Sequence, residues 1–548
     1  MTWIDFREIS NSVGGFSSLY CDYLYNFENV QQYYNGNFRS PNDITRILNA
    51  AKARLRDRKR LSDILRRQNH AYGCGEKTLE SIALLESDTT FAVVTGQQVG
   101  ILGGPIYTLY KIITAIRLCR DLADRYPTFK FIPIFWLEGE DHDFEEVNAI
   151  TLISRENLPT KIQYLSDRKR LEKNIGPVGN LTFDGSLSGF FGKLEDVLVN
   201  TEFKHSLLSM LQSFYAPGAS FSAAFAGLLN SFFQEFGLVY LNSNDREIKD
   251  MLVPIFQREI QNFPRIGQAV IDRSAELEEQ YHAQVKPRAV NLFLFHRGGR
   301  YLIEPRDREK DFVLKGTHHH LTTNELESIS ATSPELLSPN VVLRPICQDF
   351  LLPTVMYVGG PSEIAYFAQL EPVYNYYDVT MPIVYPRSSA TLLEEKVEKV
   401  LEKYQLQLVE FFGELENVSR KVIDQLSEVD VNGLFTVAGK QIDSSLNQLG
   451  FALNQVDQTL TGPLENSKSR MSSLVSILKE KTVEAQKKKH ELALKQVQKA
   501  ASLVCPNSTL QERELNIVYF LNKYGLEFVQ WLTGEVQIDR FKHQVIHL

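Results

Sequence analysis

Apolar residues in the segment 91–137 form a continuous run, then recur at helical spacing, and then form a second continuous run. The two runs cover residues 91–94 and 131–137, and the helical spacing covers 106–125. Continuous apolar runs of this length are typical of strands that are covered on both faces, as in a parallel sheet. The pattern therefore predicts a strand–helix–strand unit with a glycine-rich loop before its helix.

A second part of the same sheet is predicted downstream, after an insertion. Residues 341–346, 354–358 and 381–386 are predicted to be strands, with a helix between the last two. Residues 238–241 predict a further core strand, and residues 290–304 predict a hairpin. The predicted fold class is therefore α/β, with a parallel-sheet core that is split by inserted segments.

The pattern after residue 390 changes to a seven-residue repeat. Apolar residues first recur at alternating spacings of 4 and 3, at Val397, Leu401, Tyr404, Leu408, Phe411 and Leu415. Residues 464–505 then contain neither Gly nor Pro, and they carry an apolar residue at every seventh position from Leu464 to Leu492. These heptads predict two long helices folded back as an antiparallel coiled coil, with a less regular segment at 430–462 between them.

These patterns divide the chain into five segments with different expected roles. They are the first part of the core at 1–165, inserted connecting segments with part of the core at 166–340, the last part of the core at 341–390, the antiparallel coiled coil at 391–505, and a segment returning to the core at 506–548.

Composition narrows the function classes. The 548 residues carry a net charge of −8, with 43% hydrophobic and 23% charged residues, which is typical of a globular chain and excludes disorder as the main state. A mildly acidic chain argues against a dedicated nucleic-acid binder. We find no signal peptide and no run of 18 apolar residues, so a cytoplasmic protein without a membrane partner is expected. Five cysteines without a C-x-x-C pair do not predict a disulfide framework.

Two glycine turns are the first candidate sites. Gly103–Gly104 precede the first predicted helix, and Gly359–Gly360 precede a later one. Backbone N–H groups at a helix start can hold a phosphate or a carboxylate, and Lys111 could add positive charge. The alternative is that these glycines only make tight turns. Neither turn matches the phosphate-binding pattern G-x-x-x-x-G-K-[ST].

An acidic cluster at 138–146 follows the second apolar strand directly. Carboxylates at the carboxyl end of a strand can bind an ammonium group, act as a general base, or hold a divalent metal. The alternative is a solvated loop that caps the next helix. Further along the chain, Arg344 and Arg387 suit two-point binding of carboxylate or phosphate, although structural ion pairs would use the same residues.

Five motifs in this order are similar to one family. They are T-G-Q-Q at 95–98, G-G-P-I-Y-T-x-Y-K at 103–111, F-W-L-E-G-E-D-H-D at 135–143, L-R-P-I-x-Q-D-x-L-L-P-T at 343–354, and Y-V-G-G-P-x-E-I-A-Y at 357–366. They resemble the cysteine-adding enzymes of bacillithiol biosynthesis. The resemblance covers essentially the whole chain.

The resemblance implies a Rossmann-like core with inserted connecting domains and a coiled-coil arm used for homodimerisation. It implies a ligase that joins L-cysteine to the amino group of glucosaminyl malate in the last step of bacillithiol biosynthesis. Forming that amide from a free carboxylate requires activation, for which an ATP/ADP-type nucleotide is expected. Mg²⁺ is left open, and so is zinc, for which no ligand set is evident.

The residues themselves suggest roles for the reaction. The catalytic candidates are Glu140, Asp141 and His142, which would bind or deprotonate the attacking amine, and Lys111. Arg344 and Arg387 are expected to bind the malate carboxylates. All the substrate-binding candidates are Gln97, Gln98, Gly103, Gly104, Tyr107, Trp136, Glu138, Asp143, Asn148, Arg344, Gln348, Gly359, Gly360, Glu363 and Arg387.

Two other functions stay open on the sequence. One is a non-catalytic coiled-coil scaffold with a degenerate nucleotide-binding core, against which the acidic cluster at 138–146 argues. The other is a nucleotidyl transferase that acts on a different small molecule.

Overall fold

The computed structural model describes residues 2–9, 13, 15–54, 57–166, 174–306, 311–427 and 429–548. The chain divides into two compact units, Met1–Leu392 with Thr509–His547 and Leu393–Ser508 with Leu548.

In chain order, the strands are β1 (Thr2–Ile4), β2 (Thr90–Gln98), β3 (Lys130–Glu138), β4 (Ala149–Ile153), β5 (Pro159–Gln163), β6 (Val239–Asn242), β7 (Leu292–His296), β8 (Gly299–Arg306), β9 (Asp311–Leu314), β10 (His320–Thr322), β11 (Leu337–Pro339), β12 (Thr354–Gly359), β13 (Ile383–Pro386), β14 (Ser389–Leu393) and β15 (His543–His547).

The helices of the first unit are α1 (Ser18–Tyr25), α2 (Pro41–Ala53), α3 (Arg58–Ala71), α4 (Glu76–Leu84), α5 (Tyr107–Arg125), α6 (Phe144–Val147), α7 (Leu187–Val197), α8 (Lys204–Phe214), α9 (Phe221–Phe233), α10 (Arg246–Glu278), α11 (Thr323–Thr332), α12 (Leu343–Leu351), α13 (Pro361–Phe367) and α14 (Glu371–Tyr377). The second unit contains α15 (Glu395–Lys403), α16 (Leu415–Leu426), α17 (Val431–Val456), α18 (Thr461–Lys489) and α19 (Glu491–Val504), and the chain then returns to the first unit with α20 (Gln511–Glu514), α21 (Val518–Tyr524) and α22 (Phe528–Glu535).

A five-stranded parallel sheet is the centre of the first unit. Its strand order is β13-β12-β2-β3-β6, and every neighbouring pair is parallel. The strands are buried along almost their whole length, as the continuous apolar runs predicted. The predicted α/β fold with a parallel core is confirmed.

The inserted segment carries its own antiparallel sheet, ordered β10-β9-β8-β7-β11. The predicted hairpin at 290–304 is present as β7 and β8, in which His296 pairs with Gly299. The 33-residue helix α10 leads from the end of β6 toward this sheet. A separate small sheet has the order β1-β15-β14, so residues 2–4 pair with residues 543–545.

The predicted strand at 341–346 is wrong, because this segment begins helix α12. The Asn340 side chain accepts hydrogen bonds from the N–H groups of Val342 and Leu343 and so caps the helix. Pro345 lies in the first turn, where a missing N–H costs no intrahelical hydrogen bond. An apolar run that is buried on one helix face was therefore mistaken for a strand.

The helices of the second unit also differ from the prediction. The heptad positions at 397–415 do not share one helix, because α15 ends at Lys403, Gln405 has a φ of 48°, and a short 3₁₀ helix follows at Leu408–Phe412. The segment 430–462, predicted to be less regular, forms α17, which Asp430 caps by accepting a hydrogen bond from Gly433 N. The single helix predicted over 464–505 is interrupted at His490.

An antiparallel helical hairpin is nevertheless present, formed by α17 and α18. Lys468 Nζ donates to Asn447 Oδ1 at 2.8 Å, and Thr461 Oγ1 donates to Asn454 Oδ1 at 3.0 Å, so the residues pair in opposite directions. In the parts of the chain that the structure describes, no helix has the length and apolar character needed to cross a bilayer.

A buried ion pair joins α10 to the loop after β3. Lys249 Nζ lies 2.6 Å from Glu140 Oε2, and the two side chains are 0% and 3% exposed. Lys249 also donates to the Leu337 carbonyl at 2.8 Å. Removing one partner of such a pair leaves an uncompensated buried charge, which is strongly destabilising.

We therefore expect Lys249→Met to lower the free energy of unfolding by about 3–5 kcal/mol. The measurement is urea unfolding followed by tryptophan fluorescence, because Trp3, Trp136 and Trp531 all lie in the first unit. Lys77→Met is the matched control, since the Lys77–Glu235 pair is more than half exposed and should change stability by less than about 1 kcal/mol. Equal effects of the two substitutions would contradict the expectation.

Candidate functional site

A cavity of about 990 Å³ opens at the carboxyl ends of the parallel strands. Ligands of open α/β sheets bind at this edge. The cavity lining includes eleven of the predicted site residues: Gln97, Gln98, Tyr107, Lys111, Trp136, Glu138, Asp141, Arg344, Gly360, Glu363 and Arg387. The sheet topology therefore brings together motifs that lie far apart in the sequence.

The floor of the cavity is the end of the β2–β3 pair. Gly96 pairs with Trp136 and Gln98 pairs with Glu138. A Cβ on Gly96 would lie 2.8 Å from the Trp136 carbonyl oxygen, so only glycine fits there. Trp136 is 1% exposed, and its indole Nε1 has no hydrogen-bond partner within the described ranges.

Glu138 is a carboxyl group whose pKa is raised toward neutral pH. Its Oε2 is buried without a hydrogen-bond partner in the described structure, and the nearest cation is Arg344, whose Nε lies 3.9 Å away. Burial, helped by the negative charge of Glu140, raises the pKa of Glu138 to about 7. A carboxyl group with a pKa near the working pH is suited to take up and release a proton.

Asp141 has the opposite character. Burial alone would raise its pKa, but hydrogen bonds from His142 and Gln98 and the charge of Arg300 hold it well below the usual range. Gln98 Nε2 also donates to Glu146 Oε2 at 2.9 Å, so it links the two carboxylates. Asp141 is therefore suited to bind a cation or an ammonium group rather than to accept a proton.

Lys111 and Glu363 form an ion pair on another side of the cavity. Lys111 Nζ lies 2.6 Å from Glu363 Oε2 and also donates to Gly96 O and Gln97 Oε1. Burial lowers the pKa of Lys111, and the carboxylate of Glu363 opposes that shift. Glu363 accepts a further hydrogen bond from Gly360 N at 2.7 Å. The lysine charge is thus already paired.

The two predicted malate-binding arginines do not form one site for a dianion. Arg387 Nη2 lies 2.7 Å from Glu512 Oε1, and both side chains are 5% exposed or less, so the charge of Arg387 is neutralised. Arg344 instead makes contacts with neutral groups, donating to Gln348 Oε1 at 3.0 Å and to the Tyr366 hydroxyl at 3.2 Å. The Arg387 charge is therefore less available to a ligand carboxylate than that of Arg344, and the expectation that the two arginines bind malate stays a prediction.

The Gly103–Gly104 turn does not lie in the cavity lining, and its N–H groups are occupied. Gly103 N donates to Gly100 O, and Gly104 N donates to Ile101 O, both at 3.1 Å. Both glycines have a positive φ, so they make the tight turn that the alternative interpretation described. These contacts favour the tight-turn interpretation, and the expectation that the turn holds a phosphate stays a prediction.

Six further predicted residues lie outside the cavity lining. Their side chains or main chains have structural partners instead: Glu140 pairs with Lys249, His142 Nδ1 lies 3.2 Å from Asp141 Oδ1, Asp143 caps α6, Asn148 Oδ1 accepts from Gln163, Gln348 bridges Arg344 and Asp349, and the Gly359 carbonyl accepts from Arg387 N. Glu140 is therefore removed from direct contact with a ligand in the cavity.

Sequence reasoning missed several cavity residues from the inserted segment and from the last segment. Arg300 follows the Gly298–Gly299 turn and contacts Asp141 at 3.3 Å, and Arg513 lies near the return of the chain to the core. Lys286 and Arg288 line the cavity from the link between α10 and β7. The sequence signal that could have identified Arg300 is its charge, because it lies in an otherwise apolar predicted strand.

Metal binding is not supported by a ready ligand set. Across the described ranges, no group of three or more His, Cys, Asp and Glu side chains is arranged to hold a metal ion. The metal requirement stays a prediction.

Cys347 is a buried free cysteine. Burial raises the pKa of its thiol, so Cys347 does not have the character of a nucleophile.

A parallel α/β core with a charged cavity at its carboxyl edge defines the class as a Rossmann-like enzyme. Residues 4–388 match the family described as bacillithiol biosynthesis BshC, N-terminal Rossmann-like domain, and residues 390–548 match its C-terminal coiled-coil domain. The chain belongs to this BshC family.

Curated relatives match over nearly their whole length. Proteins named "Putative cysteine ligase BshC" from Salinibacter ruber, Chloroherpeton thalassium and Chlorobaculum tepidum are 37%, 36% and 33% identical to the chain. The matches cover 98%, 100% and 97% of this chain and 97%, 99% and 97% of the relatives. The family resemblance and the ligase class inferred from the sequence are confirmed.

The raised pKa of Glu138 predicts a pH dependence of stability. From about pH 4.5 to about pH 7 the folded protein holds the Glu138 proton more tightly than the unfolded chain does, so ionisation destabilises the wild type as pH rises. Glu138→Gln removes that loss. The variant should gain stability relative to wild type across this window, by on the order of 1–3 kcal/mol, and the difference should be constant above it.

The measurement is urea unfolding at a series of pH values, with Glu145→Gln as the matched control because Glu145 is exposed in the same acidic cluster. The control should show a difference from wild type that does not vary with pH. If the difference in unfolding free energy between Glu138→Gln and wild type does not vary with pH, Glu138 ionises as an ordinary surface carboxyl group.

Proposed function

We propose that the protein is a cysteine ligase that joins L-cysteine to the amino group of glucosaminyl malate, in the last step of bacillithiol biosynthesis. Membership of the BshC family and the names of the relatives support the cysteine ligase activity. The observation that carries the proposal is the cavity, which combines a carboxyl group poised near neutrality with separate cationic and anionic positions.

Glu138 is proposed to take the proton from the attacking amine. An amine attacks only as the free base, so the ammonium form must first lose one proton, and the attacking nitrogen loses a second proton when the amide forms. The unpartnered Oε2 of Glu138 can accept that proton, and a pKa of about 7 lets the group return it to solvent. Asp141, which stays ionised, would hold the amine in place beside it.

Arg344 is proposed to bind the carboxylate of the cysteine. Its guanidinium group has no carboxylate within hydrogen-bond distance among the described residues, since Glu138 lies 3.9 Å away. Two-point binding of a carboxylate is the arrangement that arginine favours. Arg387 would be a positioning residue, because its ion pair with Glu512 holds the loop after β13 in place.

ATP is proposed as the source of activation, with Mg²⁺ as its companion ion. The nucleotide would convert the cysteine carboxylate into a better acyl donor. The N–H groups of Gly103 and Gly104 donate within their own turn, which argues against that turn as its phosphate site.

The test follows bacillithiol and nucleotide products by mass spectrometry after mixing the full chain with cysteine, glucosaminyl malate, ATP and Mg²⁺. Bacillithiol with AMP would indicate an adenylate, and bacillithiol with ADP an acyl phosphate. Wild-type protein that is folded and binds both substrates but forms no bacillithiol would contradict the proposal. A different product from another amine acceptor would favour a nucleotidyl transferase.

In the same assay, Asp141→Asn should lower kcat by about 100-fold, because the amine loses its ionic anchor and Arg300 loses its partner. The loss of the ion pair with the buried Arg300 should also lower the unfolding midpoint, so turnover is compared at a temperature at which tryptophan fluorescence shows the variant to be folded. Glu145→Gln, an exposed acid of the same cluster, is the control and should keep wild-type turnover. Wild-type activity of Asp141→Asn would remove Asp141 from the mechanism.

We also propose that the protein is a homodimer through the α17–α18 hairpin. Large apolar side chains on both helices are exposed, including Phe451 at 81%, Leu474 at 65% and Leu478 at 58%. Such a concentration of exposed apolar residues on one helical hairpin is typical of an interaction surface. Leu474 and Leu478 are four residues apart and so share one helix face.

The variant Phe451→Ser/Leu474→Ser should therefore convert a dimer into a monomer, measured by size-exclusion chromatography with light scattering. Lys440→Ser is the control, because Lys440 is an exposed charged residue of the same hairpin and should leave the dimer intact. A wild type with the mass of one chain, or a dimeric double variant, would contradict this interface.

A further inference from the structure

The guanidinium group of Arg344 is held at the cavity wall by neutral acceptors. Its Nη1 donates to Gln348 Oε1 at 3.0 Å, and its Nη2 donates to the Tyr366 hydroxyl at 3.2 Å. A guanidinium group is a rigid planar fork of N–H donors, so fixing part of it also fixes the direction of the rest. The orientation that Arg344 presents to a ligand therefore depends on what holds these two acceptors.

Gln348, the closer of the two acceptors, has an orientation that its own partners determine. It is fully buried, and it lies one helical turn after Arg344 in α12. Its Oε1 accepts from Arg344, while its Nε2 donates to Asp349 Oδ1 at 2.9 Å. A guanidinium group can only donate and an ionised carboxylate can only accept, so an inverted amide would lose both hydrogen bonds. The amide oxygen of Gln348 must therefore face Arg344.

Asp349 is fixed in turn by the core behind it. It is 2% exposed, and its second oxygen, Oδ2, accepts a hydrogen bond from the Tyr374 hydroxyl at 2.5 Å. Tyr374 is itself fully buried in α14. Burial raises the pKa of Asp349, and the hydrogen bonds from Tyr374 and Gln348 oppose that shift. Each carboxylate oxygen thus has a donor, so Asp349 cannot turn away from Gln348 without losing a hydrogen bond.

The backbone that carries Arg344 is held by a separate set of contacts. Asn340, which caps α12 through its Oδ1, donates through Nδ2 to Asn291 Oδ1 at 2.8 Å. The N–H group of Asn291 donates to Glu259 Oε1, also at 2.8 Å. None of these contacts involves Asp349. A change at Asp349 is therefore expected to act on the guanidinium group of Arg344 rather than on the start of the helix.

We propose that Asp349 is a positioning residue, which acts through Gln348 to hold the guanidinium group of Arg344 in its ligand-binding orientation. Asp349 and Gln348 both lie outside the cavity lining, so they act on the ligand only through Arg344. The assignment rests on the proposed function, in which the ligand of Arg344 is the cysteine carboxylate. Ordering a long side chain on binding costs affinity, and a guanidinium group that is already ordered avoids that cost. Asp349 and Gln348 should therefore strengthen the binding of a carboxylate at Arg344 and of no other group.

The test is isothermal titration calorimetry of the full chain with two probes, L-cysteine and cysteamine, which has the same thiol and amine but no carboxylate. The cysteine preference, defined as the Kd of cysteamine divided by the Kd of cysteine, measures recognition of the carboxylate. Gln348→Met should lower the cysteine preference by about tenfold, because cysteine binding weakens while cysteamine binding stays within about twofold. A purely structural role would weaken the binding of both probes.

Gln68→Met is the matched control. Gln68 is also buried, and it also makes two hydrogen bonds, accepting from the N–H group of Asn242 and donating to its carbonyl. It lies outside the cavity lining. Both substitutions remove two buried hydrogen bonds, so both should lower the unfolding midpoint, but Gln68→Met should leave the cysteine preference unchanged.

Asp349→Asn tests whether Asp349 acts through Gln348. The amide has the shape of the carboxylate, but it can donate as well as accept, so it no longer forces one orientation on Gln348. Asp349→Asn should lower the cysteine preference by about threefold. The double variant Asp349→Asn/Gln348→Met should match Gln348→Met alone, because the two residues act in series. A wild-type cysteine preference in Asp349→Asn, or a further threefold loss in the double variant, would overturn the proposal.

Arg344→Met separates this proposal from the proposed function. If Arg344→Met lowers the cysteine preference and Asp349→Asn does not, the role of Arg344 stands and the positioning role of Asp349 is wrong. If Arg344→Met keeps the wild-type preference, or wild type binds both probes equally, both roles are wrong. These are binding measurements, so they do not depend on whether bacillithiol forms. Asp349→Asn, which preserves side-chain shape, decides the question if Gln348→Met does not fold.

Discussion

The alignment of the β2 and β3 carboxyl ends is the constraint on which the rest of the site depends. The close approach of Gly96 to the Trp136 carbonyl fixes the two strands, so that Gln98 and Glu138 end at the same level. Buried ion pairs then position what surrounds them: Lys249 holds the loop that carries Asp141, and Arg387 with Glu512 holds the loop after β13. Charges used in this way are structural, and they leave Glu138 as the cavity acid without a hydrogen-bonding partner on Oε2 in the described chain.

The parallel core could be predicted because continuous apolar runs indicate strands that are buried on both faces of a sheet. Few arrangements other than a parallel sheet require such strands. The run at 341–346 failed for the same reason, because periodicity cannot distinguish a short buried strand from the first turns of a buried helix. The Asn340 cap that decides between them acts through a side-chain contact. In the second unit the heptads correctly indicated helices. The backbone at Gln405 and His490, however, divides these helices into shorter ones than the heptads predicted.

The cavity brings together predicted residues that follow core strands, whereas the sequence did not show which charged residues would be paired with one another. Glu138, Asp141 and Gln98 reach the cavity because strand ends in a parallel sheet converge. Sequence alone did not show that Glu140 would turn toward Lys249, or that the N–H groups near Gly104 would bond within their own turn. Lys286 and Arg288 come from an insertion whose position relative to the core has no local signature. Which distant charged residues form ion pairs depends on the three-dimensional structure. These ion pairs decide whether a charged residue holds the fold together or is available to a ligand, which the residue type alone does not show.

The pairing of β1 with β15 has a consequence for the order of events during synthesis. Residues 2–4 are made long before their hydrogen-bonding partners at 543–545, which leave the ribosome only after the second unit has been made. Glu512, which neutralises Arg387, is also made late. The nascent first unit must therefore wait with an unpaired strand edge and an uncompensated arginine, the kind of exposed surface that favours aggregation and chaperone binding. The second unit, whose contacts are closer in sequence, can form while the first is still incomplete.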